Sequence, residues 1–423
     1  MDPFTHGVAG ALIAKAFFAD SAKESPAAAP QTVTDPASAL VRQRIVVLTL
    51  GALFPDIDVV FKLFSSSPVG TLEYHRWITH SLLCLPFFAL ALAAATRAFF
   101  SWREARRDRA ARADDLRSGR TAGAHLSMAH LTLLYGVGIL SHIFLDAITS
   151  WGTMVWAPLR DSRIQWDWVF IIDGTFTALI LAPQLLAWIY REPSRTAPRR
   201  LGVWFALSSA AILLQQVSTL AGVLFSYAGL SVVLLVIAMA LFTPEWKGWG
   251  ARITRMQWAR AGVMITAVYL LVCFAAQRIA LDRVQEFARR ESLQAQRVGA
   301  LPLPPFFTRW AGLIRTSAGV YQTSFSLLDS QQPQFEFVAD RATPESLEAA
   351  TTLRAVQTYL WFARFPVVET REVSGQQVVV FTDHRFVQRW ASAPVPFEYW
   401  VVLDVRGNVV RQGWAQDIAA GRR

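Results

Sequence analysis

Long apolar runs constrain this chain more than any other feature of its sequence. A bilayer core takes about 20 apolar residues per helix. Four stretches come close to that length or exceed it: Leu82–Phe99, Leu131–Ile148, Val169–Tyr190 and Ala261–Gln277. The run Val203–Phe242 is too long for one span, and we expect the Ser226–Tyr227–Ala228–Gly229 segment to divide it into two helices.

Two further apolar stretches are less regular. Ile45–Phe64 is interrupted by Pro55, Asp56 and Asp58, so we predict a span with a broken outer end. Val8–Ala19 is too short to cross a bilayer alone and fits a re-entrant helix. No basic region precedes this run, so we expect no signal-peptide cleavage. The predicted fold is mainly α: a polytopic helical membrane protein with about eight membrane segments.

Composition agrees with a membrane protein. Hydrophobic residues make up 53% of the 423 residues and charged residues only 17%, whereas soluble domains carry about a quarter charged residues. This apolar content excludes a disordered chain. The chain has only two Cys, Cys84 and Cys273, which excludes a disulfide-rich secreted scaffold.

The net charge of +10 is mainly a topology signal. Basic residues concentrate between the apolar runs, in Ser101–Arg120, in the Arg191–Arg200 and Lys247–Arg260 segments, and at Arg42 and Arg44. All four stretches fall on one side if the predicted spans alternate, and that side should be the cytoplasm. We therefore expect the C-terminal region outside the cytoplasm, the bilayer as the main partner, and no nucleic-acid role.

The composition changes near Leu281. We predict a helical transmembrane domain over residues 1–280 and a soluble extracytoplasmic α/β domain of unknown role over residues 281–423. Within the second, Pro344–Ala363 has helical spacing, and Arg406–Gly407–Asn408 is a predicted hairpin turn. Predicted strands are Val320–Leu328, Val367–Val373, Gln377–Phe381 and Tyr399–Val405.

Ionisable residues inside or beside membrane segments are costly and usually functional. Here they form four clusters within the first 150 residues. The clusters are Asp2-Pro3-Phe4-Thr5-His6, Gly51 to Asp58 with Asp56 and Asp58, His75-Arg76-Trp77-Ile78-Thr79-His80-Ser81, and Ser141-His142-Ile143-Phe144-Leu145-Asp146.

The spacing within the clusters favours metal binding. Asp2 and His6, like His142 and Asp146, are four residues apart and share one face of a helix. Asp56 and Asp58 follow Pro55, where alternate residues of an extended turn point the same way. His75 and His80 are five residues apart, so we place His75 in a connection and His80 at the start of the next span.

The predicted topology brings these clusters to one depth near the outer face. Imidazoles and carboxylates without thiolates suit Zn²⁺ first, with Mn²⁺ or Fe²⁺ as alternatives. Eight candidate ligands allow one to three ions per chain. These ligands are Asp2, His6, Asp56, Asp58, His75, His80, His142 and Asp146. The candidate catalytic residues are Asp56 or Asp58 as general base and Arg76 as a partner for a phosphate oxygen.

Each cluster alone also has a structural explanation. A single intramembrane His is more often a helix–helix hydrogen bond than a ligand. Asp56 with Asp58 could form a helix-end turn, and His142 with Asp146 a hydrogen-bonded pair. The four clusters together favour a shared site. Asp167 and Asp173 are weaker candidates for orienting the ligands, and Trp151, Trp156, Trp166 and Trp168 fit an interfacial aromatic belt.

The motifs together resemble the YdjM-type family of bacterial inner-membrane metal-dependent hydrolases. The resemblance lies in Asp2–Pro3 with Thr5–His6, Pro55–Asp56–Ile57–Asp58, His75–Arg76 with Thr79–His80–Ser81, and Ser141–His142 with Asp146. Trp166–Asp167–Trp168 followed by Asp173 extends it, so that it covers roughly residues 1–190. It implies an inner-membrane location and a metal-dependent hydrolase, and it leaves the C-terminal domain unassigned.

Three functions remain open on the sequence. The first is a membrane-embedded hydrolase that cleaves a phosphoester or related ester, from a lipid or another substrate, at the outer face of the inner membrane with a metal-activated water. The second is a cation- or proton-coupled transporter that uses the same Asp and His residues. The third is a membrane anchor for the C-terminal domain, which leaves the four clusters unexplained. The substrate and the oligomeric state stay undetermined.

Overall fold

Helices dominate the first two thirds of the chain and strands the remainder. The structure is a computed structural model that describes residues 1–19, 36–64, 67–113, 125–220, 227–304, 307–373, 375–387 and 395–419. Of the predicted break, Ser226 lies outside these ranges, as do the basic residues Arg117 and Arg120, whereas Tyr227, Ala228 and Gly229 begin the helix Tyr227–Phe242. The helices before the strands are α1 (Pro3–Phe17), α2 (Pro36–Leu53), α3 (Gly70–Tyr74), α4 (Leu85–Ala113), α5 (Met128–Ala147), α6 (Gly174–Ile189), α7 (Thr196–Leu220), α8 (Tyr227–Phe242) and α9 (Arg255–Arg290).

The prediction of about eight membrane segments is wrong for the described residues. Three helices there are long and apolar enough to cross a bilayer: Leu85–Arg106, Met128–Ala147 and Arg255–Arg290. Two shorter apolar helices are Gly174–Ile189 and Ser231–Trp246. A helix rises about 1.5 Å per residue, so a helix of about 16 residues reaches about 24 Å and falls short of a core of about 30 Å. Counting apolar runs in the sequence gives too many membrane spans, because part of each run belongs to helix ends and connections.

The short helix α1 lies among longer ones. It packs against α2, α5, α6 and α9, and its residues Leu12, Ala14 and Ala16 are almost completely buried. Gly10 permits the close contact with α2, because a Cβ atom there would lie 2.7 Å from the Cβ of Ala52. Neighbouring helices therefore support α1, an apolar helix too short to span a bilayer.

Helix α9 joins the helical part to the strands. It continues through residue 281 to Arg290, and the first strand begins at Arg297. Two four-stranded antiparallel sheets follow, ordered β1-β2-β3-β4 and β5-β6-β7-β8. Their strands are β1 (Arg297–Pro302), β2 (Arg309–Arg315), β3 (Gly319–Ser326), β4 (Glu336–Ala339), β5 (Pro366–Val373), β6 (Gln376–Asp383), β7 (Tyr399–Leu403) and β8 (Val409–Trp414).

The predicted α/β pattern of the C-terminal region is confirmed in outline. The four predicted strands correspond to β3, β5, β6 and β7, and the predicted turn at Gly407 joins β7 to β8 with a φ angle of 79°. The predicted helix Pro344–Ala363 is instead two helices, α10 (Pro344–Thr351) and α11 (Arg354–Phe362). The chain turns between them because Leu353 adopts an extended conformation. A last short helix, α12, is Ala415–Ala419.

The second sheet shares its hydrophobic core with the helical part. Val69, Leu72 and Trp151 pack with buried residues of α11 and of strands β5 to β7. The aromatic-belt interpretation is therefore wrong for Trp151, which is 6% exposed and contacts Phe362, Phe386 and Phe397. The C-terminal domain thus packs against the segments next to the third and fourth polar clusters.

Candidate metal centre

Helix α5 contributes two of the candidate ligands, His142 and Asp146. They lie one turn apart on the same face, and both side chains are fully buried. The helix reaches α2 closely at Gly138, where a Cβ atom would lie 2.5 Å from the carbonyl oxygen of Leu48. This approach allows His142 Nδ1 to donate a hydrogen bond to the carbonyl oxygen of Ala52 at 2.6 Å. The hydrogen on Nδ1 leaves the lone pair of Nε2 directed toward the cluster.

Asp58 orients a second imidazole. It lies with Asp56 in the 3-10 helix Phe54–Phe64, which begins where α2 ends, beside Pro55. Its carboxylate oxygens lie 2.9 Å from His75 Nδ1 and 3.3 Å from His80 Nδ1. The hydroxyl of Thr79 links Asp58 to His80, because it donates to Asp58 at 3.3 Å and lies 3.0 Å from His80 Nδ1. Since the Thr79 hydrogen points to Asp58, Nδ1 of His80 carries its own hydrogen and Nε2 presents its lone pair. Asp58 also accepts a hydrogen bond from the backbone N–H of Arg76 at 2.7 Å.

Four side chains place one ligand atom each within 4.8 Å of all the others: Asp56, His80, His142 and Asp146. His80 Nε2 lies 3.1 Å from His142 Nε2 and 3.1 Å from Asp146 Oδ2. His142 Nε2 lies 3.4 Å from both Asp146 Oδ2 and Asp56 Oδ1, and the separation between Asp56 Oδ1 and His80 Nε2 is 3.9 Å. Bonds of about 2.0–2.1 Å in a tetrahedral zinc site put ligand atoms about 3.3–3.4 Å apart. The five separations given above, from 3.1 to 3.9 Å, are close to that value.

The hydrogen bonding of these atoms also fits a cation. Two imidazole lone pairs that face each other at 3.1 Å repel unless a proton or a metal ion lies between them. Asp146 Oδ2 and Asp56 Oδ2 are buried without a hydrogen-bond partner among the described residues. Buried carboxylate oxygens normally have partners. A divalent ion would satisfy both the unpaired Asp146 oxygen and the facing imidazoles, so the donor set fits a metal.

The other predicted ligands border this group or lie away from it. The ring of His6 stacks on His142 at 3.6 Å, with His6 Nε2 3.2 Å from Asp146 Oδ1. His75 and Asp58 lie on the outer side of His80 and contact each other. The structure does not bring Asp2 to the group, because its carboxylate caps α1 by accepting hydrogen bonds from the backbone N–H and the hydroxyl of Thr5.

Arg76 holds Asp146 from the opposite side. Its guanidinium lies 2.9 Å from Asp146 Oδ1 and donates to Thr149 Oγ1 at 3.2 Å. Asp146 Oδ1 also contacts the amino group of Met1. Arg76 is 1% exposed and has a φ angle of +65°, a strained value for a residue with a Cβ atom. Such strain is often found at functional sites.

A second arginine, Arg163, adds positive charge nearby. It donates hydrogen bonds to the carbonyl oxygens of Leu72 and His75 at 2.8 and 2.9 Å. Burial, together with repulsion from Arg76 and Arg385, lowers the pKa of Arg163 to about 9. Arg76 and Arg163 therefore place two positive charges beside the group.

The two weaker predictions, Asp167 and Asp173, do not orient the ligand imidazoles. Asp167 forms a bidentate ion pair with Arg364 of the C-terminal domain, at 2.8 and 2.9 Å. Asp173 caps α6 by accepting from the N–H of Phe176, and it also accepts from the hydroxyl of Tyr269. Both carboxylates therefore bind groups other than the ligand imidazoles.

Sequence reasoning missed Thr149, Gly152 and Arg163. Thr149 and Gly152 accept from Arg76, and Arg163 holds the carbonyl of His75. Gly152 and Arg163 lie outside the clusters of ionisable residues, and Thr149 follows Asp146 by three residues without being ionisable. The one usable signal was the glycine itself, because Gly152 has a φ angle of +75°.

Comparison with known proteins agrees with the sequence motifs. A sequence model of the YdjM inner membrane protein family matches residues 1–222, which is more than half of the chain and includes every residue of the four-ligand group. No curated protein and no solved structure matches the chain. The apolar spans and the family match together make this a membrane protein of the inner membrane. The chain belongs to the YdjM inner membrane protein family.

Proposed function

We propose that the protein is a membrane-embedded, metal-dependent hydrolase that cleaves a phosphoester or related ester at the outer face of the inner membrane. The observation that carries the proposal is the near-tetrahedral spacing of the ligand atoms of Asp56, His80, His142 and Asp146. One ion per chain fits this group. Zn²⁺ is the first choice for two imidazoles and two carboxylates, with Mn²⁺ and Fe²⁺ as alternatives.

The four ligand residues differ in accessibility, which separates their roles. Three of the side chains are fully buried, whereas that of Asp56 is 14% exposed. A bound divalent ion would supply a Lewis acid and lower the pKa of a water molecule. His80, His142 and Asp146 are the holding ligands in this proposal. Asp56 is the least buried of the four, and its second oxygen, Oδ2, which has no hydrogen-bond partner among the described residues, can accept a proton from the attacking water as a general base.

Arg76 and Asp58 support the ligands instead of contacting substrate. Arg76 is buried against Asp146, so binding a phosphate oxygen would break that ion pair. Asp58 is 2% exposed and is occupied by His75, His80 and the N–H of Arg76. A carboxylate linked to the outer nitrogen of a ligand His, here through the Thr79 hydroxyl, fixes the tautomer of the ring and raises its basicity. The positive charge of Arg76 and Arg163 beside the group favours an anionic substrate such as a phosphoester.

The position of the group favours hydrolysis at one face over transport. His142 and Asp146 lie in the last two turns of the span Met128–Ala147, while a carrier site lies near the bilayer midplane. Basic residues mark the opposite end of the α4 span, where Arg106 lies, whereas α9 has basic residues at both of its ends, Arg255 and Arg290. By the positive-inside rule that end of α4 faces the cytoplasm, and the metal group then faces outward.

The decisive experiment restores metal to stripped protein. Purified protein in detergent is treated with a chelator, reloaded with Zn²⁺, Mn²⁺ or Fe²⁺, and assayed with bis(p-nitrophenyl) phosphate and with phospholipid extracts. We expect hydrolysis to return with metal and to be lost in His142→Ala and Asp146→Asn. The matched control is His130→Ala, an exposed histidine at the other end of the same helix.

Two outcomes would reverse the proposal. Metal binding without hydrolysis of any ester, combined with metal-dependent flux into liposomes, would favour the transporter. Hydrolysis that survives in His142→Ala at the wild-type rate would place the chemistry elsewhere in the chain.

A further inference from the structure

The loop that follows Asp146 is closed on itself and holds Arg76. Its two ends meet through a bridge between Thr149 and Val169, and a second bridge joins Thr153 to Ile164. From within it, Thr149 Oγ1 and the Gly152 carbonyl accept hydrogen bonds from Arg76, and the N–H of Met154 donates to the Arg76 carbonyl at 3.1 Å. We call residues 147–169 the clasp loop. It determines where Arg76, and through it Asp146, is held.

Two arginines of the C-terminal domain, Arg364 and Arg385, contact the clasp loop, one near each end. Near the end of the loop, Arg364 holds Asp167 by two parallel hydrogen bonds, the strongest geometry for an arginine and a carboxylate. Asp167 is 4% exposed and adopts a φ angle of +56°. Burial alone would lower the pKa of Arg364, but the charge of Asp167 outweighs this effect and raises it.

The second contact of the C-terminal domain lies near the start of the clasp loop. Arg385 donates a hydrogen bond to the carbonyl oxygen of Ser150 at 3.0 Å and is held in place by Asp383. The neighbouring Trp151 is packed among Phe362, Phe386 and Phe397 of the C-terminal domain. A polar contact and an aromatic contact therefore anchor the same short segment.

A third contact reaches the segment that carries the ligands. Arg163, inside the clasp loop, donates to the carbonyl oxygen of His75, and its guanidinium lies over the rings of Trp361 and Phe362 at 5.5 and 5.4 Å. His75 in turn contacts Asp58, which orients His80. Helix α11 is thus connected to two ligands of the metal group. Its Phe362 contacts Trp151 in the clasp loop, which holds Arg76 beside Asp146. Phe362 also lies against Arg163, which holds the segment of His75, and His75 contacts Asp58 beside His80.

We propose that the C-terminal domain is a positioning element of the metal centre, and that Arg364 and Arg385 are positioning residues which hold the clasp loop so that Asp146 keeps its place among the ligands. The proposal rests on the metal site proposed above. It assigns a role to a domain that the YdjM family match, which ends at residue 222, does not cover.

The test measures metal affinity in the full-length protein with Arg364→Gln, Asp167→Asn and the double variant. We expect each single variant to raise the dissociation constant for Zn²⁺ about tenfold, as loss of an outer support does, and the double variant to add little. That non-additive pattern identifies a pair acting together. The visible spectrum of Co²⁺-loaded protein should change in the same variants, and Arg364→Lys should recover part of the affinity.

The matched control is Arg354→Ala. Arg354 also joins the C-terminal domain to the helical part, through Glu73 at 3.1 Å, but its side chain is 85% exposed. We expect no change in metal affinity there. If wild-type protein binds Zn²⁺ while Arg364→Gln and Asp167→Asn bind it equally well, the positioning role is wrong and the metal site stands. If wild-type protein binds no metal, the proposed function itself fails. Should Arg364→Gln not fold, Asp167→Asn tests the same pair from the other side.

Discussion

At the scale of single residues, hydrogen bonds decide which nitrogen of each imidazole faces the metal group. Nδ1 of His142 donates to the carbonyl oxygen of Ala52, and Nδ1 of His80 faces Asp58. Both Nε2 atoms are therefore turned toward Asp146. Acceptors that lie outside the ligand group thus determine its geometry, as is common for metal-bound histidines.

Asp58→Asn separates an orienting role from a ligand role. An amide can donate to the Thr79 hydroxyl, which holds His80, instead of accepting from it, and it lacks the negative charge that raises the basicity of the ring. We expect the dissociation constant for Zn²⁺ to rise about 10- to 100-fold without loss of the site. Competition with a chromophoric chelator measures this. Complete loss of binding, as expected for His142→Ala, would make Asp58 a direct ligand.

Sequence spacing identified the residues of the site better than their roles. The i, i+4 relation of His142 and Asp146 was sufficient to place both on one face of α5. The same relation misled for Asp2 and His6, because an Asp just before a helix also serves as its cap. The division between ligands and supports depends on distances between distant segments, such as the contact of Asp58 with His80.

At the scale of secondary-structure elements, the crossing of α2 and α5 brings the ligand segments together. Gly51 and Gly138 face each other there, and a Cβ atom on Gly51 would lie 2.9 Å from the carbonyl oxygen of Tyr135. Four residues after Gly138, His142 reaches the end of α2 at Ala52. The close approach of the two backbones is therefore a condition for the His142 tautomer.

Gly138→Ala tests this crossing. Its Cβ atom would lie 2.7 Å from the backbone N of Ala52, so the helices must separate. We expect a loss of about 1–3 kcal/mol in the free energy of unfolding and weaker Zn²⁺ binding, measured by thermal unfolding in detergent and by metal titration. The control is Gly136→Ala on the same helix, where the nearest atoms would be 3.8 and 3.9 Å away. Equal losses of stability and of Zn²⁺ affinity in the two variants would show that the close approach at Gly138 does not hold the ligand segments together.

Elements were predictable where local pattern decides them. The alternation in β5, β6 and β7 and the turn at Gly407 were enough to locate the second sheet. Span counting failed because α1 and α6 are apolar yet short, and neighbouring helices cover α1 in part. Hydropathy does not distinguish burial by protein from burial by lipid, since both environments favour the same side chains.

At the scale of the whole molecule, the metal group and the C-terminal domain lie on the same side of the helical part. Val69, Leu72 and Trp151, which lie close to the ligands in sequence, pack into the core of the second sheet. This arrangement was not predictable from sequence, because the partners of Asp167 and Ser150 lie about 200 residues away and no pattern links them.

Orientation in the membrane is the prediction at this scale. In a background with Cys84→Ala and Cys273→Ala, one cysteine is placed at Val405, which is fully exposed in the C-terminal domain. A second variant carries it at Arg103, near the opposite end of the α4 helix. We expect a membrane-impermeant maleimide to label only the Val405→Cys variant in spheroplasts, because Arg-rich ends stay in the cytoplasm. The reverse labelling pattern would place the metal group on the cytoplasmic side.

The central claim is that Asp56, His80, His142 and Asp146 hold one divalent ion. X-ray absorption at the zinc edge of Zn²⁺-loaded protein, combined with metal content per chain, tests it most directly. We expect one zinc per chain with two imidazole nitrogens and oxygen ligands at about 2.0–2.1 Å, and one imidazole fewer in any His142→Ala protein that retains metal. Wild-type protein that remains free of metal after loading, or an unchanged zinc shell in His142→Ala, would contradict it.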